Sequence, residues 1–294
     1  MQRRNFIKTL AVGGAGALVG AQPTSSEAAE SPTTRRRKGD MVDTNVSLSR
    51  WPFRRLPLDE TRKLVTKLKG AGISQAWAGS FDALLHKNLG AVNESLADEC
   101  QKHGHGALLP FGTVNPKLPD WQEEIRRCQE KHEMLGLRLF PNYHGYKLND
   151  PDFLKLLADA ELRGLVVQIA MSMEDERMQH PLVRVPNVDA SPLAEIAQRF
   201  PKLKLVLLNW FRSIKGETLT KLGKSQRIWF DIAMVEEVGG ISKLLHEIPA
   251  DRIVFGSHAP FFYVESALLK LKESVLTSRD RKLITRENAS RIVG

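Results

Sequence analysis

Cysteine is nearly absent from this chain: Cys100 and Cys128 are the only two in 294 residues. That excludes a disulfide-built scaffold, and without a Cys-x-x-Cys pair it excludes a zinc ribbon or a dithiol redox site. One optional disulfide or two buried thiols stay open. Aromatics are sparse at 7%, although five of them are Trp. No apolar run is long enough to cross a bilayer. A glycine-rich phosphate loop is also missing. Around the end of the first strand-like run, residues 41–46, the chain reads DTNVSLSRW, which is not the fingerprint of a dinucleotide site. Excess charge is lacking where it would count. The formal net charge is +9, but seven basic and two acidic residues precede Asp40, leaving 36 basic against 32 acidic residues in the remainder. A nucleic-acid-binding body would keep its positive charge within the folded part, so that class is set aside.

The chain does have a leader. It opens MQRRNFIKTLAVGGAGALVGAQ, with Arg3-Arg4 before Phe6 and Lys8 and a Gly/Ala-rich run over 9–20. Small residues suited to cleavage after Ala21 follow. The pattern resembles a twin-arginine export signal, which implies a periplasmic or otherwise exported protein with no stable membrane insertion after cleavage. Residues 22–39, rich in Pro, Ser, Thr and charge, read as linker. The expected division is therefore signal 1–21, linker 22–39 and folded body 40–294.

Within the body, short apolar runs alternate with segments of helical period. Runs at 42–46, 73–78, 107–111, 136–140, 165–170, 203–208, 227–232 and 253–256 predict eight strands. Helices are expected near 59–69, 88–103, 120–132, from 151, and near 191–199, 241–246, 261–273 and 280–292. Asp120 has the chemistry of an N-cap, and Pro151 and Pro192 stand just inside helix starts. Eight strands apolar enough to be covered on both faces, with helices between them, predict an α/β protein, a closed parallel TIM (β/α)8 barrel. An open doubly wound sheet is the rival. In a barrel the loops after the strands meet at one mouth, so polar residues at strand ends become candidates for function. They are Asp43, Asn45 and Ser47 from the first strand, with Trp51 beyond it, and Arg138 and His144 from the fourth. Asn209 comes from the sixth, Asp231 from the seventh and His258 from the eighth. Such a set suits a small polar or carboxylate ligand, held by Arg138 through a bidentate contact.

Seven stretches in order carry a resemblance: VDTNVS, FGTVNP, GLRLFPNYHGYKLNDPDF, ELRGLVVQIAM, FPKLKLVLLNW, RIVFGSHAP and ENASRI. With them the body resembles the amidohydrolase-related (amidohydrolase family 2) metal-dependent hydrolases and decarboxylases. The resemblance implies a TIM barrel, a small-molecule substrate and a homodimer. It also implies a metal site that these residues do not spell out. Where the family has Asp-x-His-x-His, this chain has Asn45 and Ser47. The fifth-strand ligand position falls on Ala170, the sixth-strand histidine on Asn209, and the eighth-strand aspartate, ligand and usual general base, on His258. A divalent ion needs three or more imidazole or carboxylate donors, so neither metal nor other cofactor is expected. A displaced site from His144, Glu174, His180 and Asp231 is the exception to test.

Two functions follow. In a metal-free hydrolase or lyase, His258 would act as general base, oriented by Asp231 or Asp43. Asn45, Arg138, His144, Asn209 and Trp51 would then hold the substrate. In a non-catalytic barrel the same residues have structural duties. Asp43 would satisfy loop amides, Asn45 and Asn209 would form a packed polar layer, Arg138 would bridge core and rim, and His258 would be a hydrogen-bonded core histidine. That barrel would bind a small ligand or a partner without turnover.

Overall fold

Side chains alternate across each strand, and here that alternation divides the apolar residues into two cores. The computed structural model describes residues 40–294; the expected signal and linker lie outside the described residues. The strands are β1 (Met41–Leu48), β2 (Ile73–Ser80), β3 (Leu108–Gly112), β4 (Gly136–Leu139), β5 (Val166–Ala170), β6 (Lys204–Leu208), β7 (Ile228–Asp231) and β8 (Ile253–Val254). They pair in parallel in sequence order. Thr44 N donates to Phe255 O (2.8 Å) and Ser47 N to Ala259 O (2.8 Å), which brings β1 round to the segment after β8. The result is a TIM-type barrel. Leu137, Val167, Ile169, Leu205, Leu207 and Phe230 face outward into a core shared with the helices. Val166, Val206, Leu208, Trp229 and Val254 fill the interior with Trp77 and Phe111.

The helices are α1 (Thr61–Gly70), α2 (Leu89–Gly104), α3 (Trp121–Arg126), α4 (Pro151–Leu162), α5 (Leu193–Arg199), α6 (Gly216–Gly223), α7 (Gly240–Leu244), α8 (Val264–Glu273), α9 (Ser278–Lys282) and α10 (Asn288–Val293). At α4, Asp150 caps the Asp152 N–H and Pro151 takes the first position, as the sequence predicts. Ala289 and Ile292 of α10 join the interior core. Asn288 ties that helix to β8 by donating to the carbonyls of Ala250 (2.8 Å) and Ile253 (2.7 Å).

Several expectations need correction. Asp120 precedes α3 in the left-handed region (φ 58°) and makes no side-chain cap. Pro192 sits at the cap of α5, not inside it. The segment at 120–132 ends in a π-type turn, and that at 280–292 is interrupted by one. α6 was not expected at all, because only Leu219 and Leu222 turn inward between two glycines.

One irregularity places the site. Asp43 pairs with Ala76 and Val46 with Ala78, so β1 carries one extra residue between them. That bulge reverses the alternation. Val42 belongs to the interior core and Val46 to the outer one, while the side chains of Asn45 and Ser47 reach interior partners. The first strand is thus longer than expected, and its polar residues are part of it and buried.

Candidate functional site

A layer of hydrogen-bonded polar side chains crosses the barrel where the strands end. The Asn45 amide nitrogen donates to Asn209 Oδ1 at 2.9 Å and to Asp231 Oδ2 at 2.7 Å. Asn209 returns its backbone N–H to Asp231 Oδ1 (3.0 Å) and its amide to Ser172 O (2.9 Å). Asp43 Oδ1 accepts the backbone N–H groups of Asn45 and Ser257, each at 3.0 Å. Gly256 leaves the room: a Cβ there would stand 2.9 Å from Asp231 Oδ2. Asp43, Asn45, Asn209 and Asp231 are all 1% exposed or less.

Arg138 rises from β4 into the same layer. Its five N–H donors go to Gln168 Oε1, Val46 O, Ser47 Oγ, Thr44 O and Trp77 O. Gly79 makes space for it, since a Cβ there would meet the Arg138 chain at 2.7 Å. No donor is left over for a carboxylate ligand. Burial lowers the guanidinium to about 10, countered by the charges of Asp43 and Asp231. Burial also dominates the acids, raising Asp43 to about 6 and Asp231 to about 7 against the hydrogen bonds they accept.

His258 adopts φ 58°, a conformation that a non-glycine residue holds only when its surroundings impose it. Its Nε2 donates to Met173 O at 2.9 Å, and its ring stacks on Phe261. It makes no hydrogen bond to Asp231 or Asp43, so the expected histidine–carboxylate pair does not form. Nδ1 is buried without a partner, and burial holds the imidazole down at about 4, hence neutral.

Trp51, 2% exposed, packs edge-on against Phe53, Phe81 and Phe261. Ala170, Phe140 and Met173 belong to the same apolar cluster. This cluster adjoins the polar layer through Phe261 and Met173. His144 stands apart from the layer, with Nε2 donating to Ala83 O at 2.8 Å.

The metal implied by the resemblance does not fit these residues. An Asn45 NH2 group points both hydrogens at Asp231 and Asn209, which are the acceptors a cation would need. The remaining matched positions supply a hydroxyl, a methyl and one imidazole already bonded to a carbonyl. Among the described residues no three His, Cys, Asp or Glu side chains are grouped to hold an ion. His180, proposed for a displaced site, stacks on Phe53.

Open space lies to the side, against the loops after β5 to β8. A cavity of about 820 Å³ is lined by Glu174, Asp175, Arg212, Met234, Phe262 and Lys270, among others. Lys270 Nζ bonds the carbonyls of Ile232 (3.3 Å) and Ala233. Sequence reasoning named Glu174 for a displaced metal site but gave Lys270 no role. Its signal was only an amphipathic helix, α8, whose cavity-facing positions no spacing marks.

A family model described as Amidohydrolase matches residues 51–294, beginning just beyond β1. No curated protein matches the chain. Among solved structures, 2,6-dihydroxybenzoate decarboxylase from Rhizobium is 15% identical with a TM-score of 0.68, covering 87% of this chain and 98% of that one. The 5-carboxyvanillate decarboxylase of Novosphingobium aromaticivorans, complexed with manganese, is 16% identical with a TM-score of 0.67 over 88% and 97% of the two chains. A dihydroxybenzoic acid decarboxylase from Polaromonas, also with bound manganese, is 13% identical with a TM-score of 0.66 over 87% and 97%. At these identities the structures show a shared fold. With the family match spanning most of its length, the chain belongs to the amidohydrolase family.

Proposed function

We propose that this chain is a ligand-binding barrel in which the position of the family's metal centre is held by a structural polar layer. The observation that carries this reading is the Asn45 amide donating to both Asn209 and Asp231. Support comes from accessibility. Asp43, Asp231 and His258 are 1% exposed or less, while the lateral cavity is open. The test is a turnover screen of the purified protein against benzoate-type carboxylates, amides and esters, with and without added zinc or manganese. The expected result is no turnover above the buffer rate under any condition. Metal-dependent turnover that disappears in Asp231→Asn contradicts the proposal.

Two buried acceptors without partners, Asp43 Oδ2 and His258 Nδ1, favour a second reading, metal-free acid–base turnover of a small carboxylate or polar substrate. That reading requires turnover in the same screen without metal, lost in His258→Gln. We also propose export by the twin-arginine route, on the leader alone. Residues 1–40 fused to a reporter should carry it out of the cytoplasm, and changing Arg3-Arg4 to Lys-Lys should stop it; continued export of that variant counts against the route.

A further inference from the structure

We propose that the lateral cavity binds a small organic cation, an amine carrying an apolar body. This rests on the ligand-binding reading and assigns the ligand's class. Glu174 carries it. The residue is 4% exposed and lines the cavity, and its Oε2 is buried with no hydrogen bond, only a loose ion pair with Arg54 at 3.5 Å. A buried carboxylate oxygen left in that state is costly, and a cationic N–H donor relieves it. Burial accordingly keeps the Glu174 carboxyl above its usual range, only partly offset by Arg54.

The wall has the matching sign. Six carboxylates line the cavity against three cations, and the cations are engaged. Arg177 is held by Asp175, and Arg212 by Asp175 and Glu236. Lys270 is turned to the Ile232 and Ala233 carbonyls. Lys270 and Arg177 each keep an N–H to spare, but six carboxylates against three cations leave the wall net negative, which opposes a carboxylate ligand. Phe262, Met234, Val235 and Leu269 supply apolar surface for the ligand's body.

The chain also shows what Glu174 accepts. The Arg54 guanidinium lies 3.5 Å from Glu174 Oε2 and 4.9 Å from the centre of the Phe261 ring. A carboxylate and an aromatic face together form a cation site. Arg54 is a half-exposed occupant of it, too far for a good hydrogen bond. Glu174 also borders a second recess of about 380 Å³ that Arg54 shares. A ligand amine would take Oε2 from Arg54.

Isothermal titration of the purified protein with tryptamine, tryptophol and indole-3-acetate tests this, because the three share a ring and differ in charge. Tryptamine should bind, indole-3-acetate should not, and Glu174→Gln should weaken tryptamine about tenfold or more. Arg54→Ala, a half-exposed change that spares the core, should tighten it severalfold by removing the internal competitor. The assignment is overturned if tryptamine gives no binding at millimolar concentration, if indole-3-acetate binds as well as tryptamine, or if a folded Glu174→Gln or Arg54→Ala leaves tryptamine affinity unchanged. Metal content measured on the same sample separates the two levels. Stoichiometric metal removes the underlying reading, whereas failure of tryptamine in metal-free protein removes only the cation.

Discussion

Removing the Asn45 side chain would leave Asp231 Oδ2 and Asn209 Oδ1 without their donors in a site closed to water. Unpaired buried acceptors of this kind make Asn45→Ala cost about 2–5 kcal/mol, measurable by urea unfolding; a loss within error of zero contradicts the packed layer. The acids add a pH signature. Asp43 and Asp231 titrate at about 6 and about 7 in the folded chain against 3.8 ordinarily. The folded state therefore keeps protons that the unfolded state releases. Their stabilising contribution is full below pH 3.8 and is lost as pH rises through 6 and 7. His258 has the opposite sign, its folded value of about 4 lying below 6.5. Its contribution is present above pH 6.5 and lost as pH falls toward 4. Two carboxyls outweigh one imidazole. Relative to wild type, Asp231→Asn should therefore gain stability as pH rises from 4 to 7, by up to about 1.4 kcal/mol per pH unit; parallel profiles contradict the assignment. At this scale the sequence was informative about substitution. Asn45, Ser47, Asn209 and His258 stood out against a known pattern. For Arg138 it offered a bidentate carboxylate contact or a core-to-rim bridge, and it could not supply the actual partners, which include carbonyls of β1 and β2 that no motif records.

Elements decide whether the layer is reachable. The segment after β1 folds Trp51 against Phe53, Phe81 and Phe261, and Phe261 stacks on His258. Truncation of a buried Trp costs about 3–5 kcal/mol, and here it also uncovers the histidine. In Trp51→Ala, diethylpyrocarbonate should modify His258 at least several times faster than in the wild type; equal rates mean that the aromatic cluster does not shield it. The eight strands were legible because each is a short apolar run bounded by turn residues. The β1 bulge was not, since a single extra residue leaves composition and spacing unchanged while exchanging the faces of everything after it. α6 escaped for another reason: two inward leucines in eight residues are too few to show a period.

For the whole molecule, barrel closure follows from the two-sided strands, and Asn288 fixes α10 against β8. The family could be read from seven stretches spread across the chain. The lateral cavity could not, because its acidic wall is assembled from the loops after β5 and β7 and from helix α8, which come together only in the folded chain. Cys100 and Cys128 resolve as separate buried thiols, with burial pushing the Cys100 thiol up to about 12. Among the described residues no helix is long and apolar enough to cross a membrane; the export proposal rests on the leader alone. In the proposed reading a polar layer stands at the centre of the barrel where the family holds an ion. Equilibrium dialysis of the purified chain against zinc and against manganese, followed by elemental analysis, tests it most directly. The expected result is well under one equivalent of either metal per chain and a melting temperature unmoved by chelator. One tightly held equivalent, whose removal lowers the melting temperature, would contradict it.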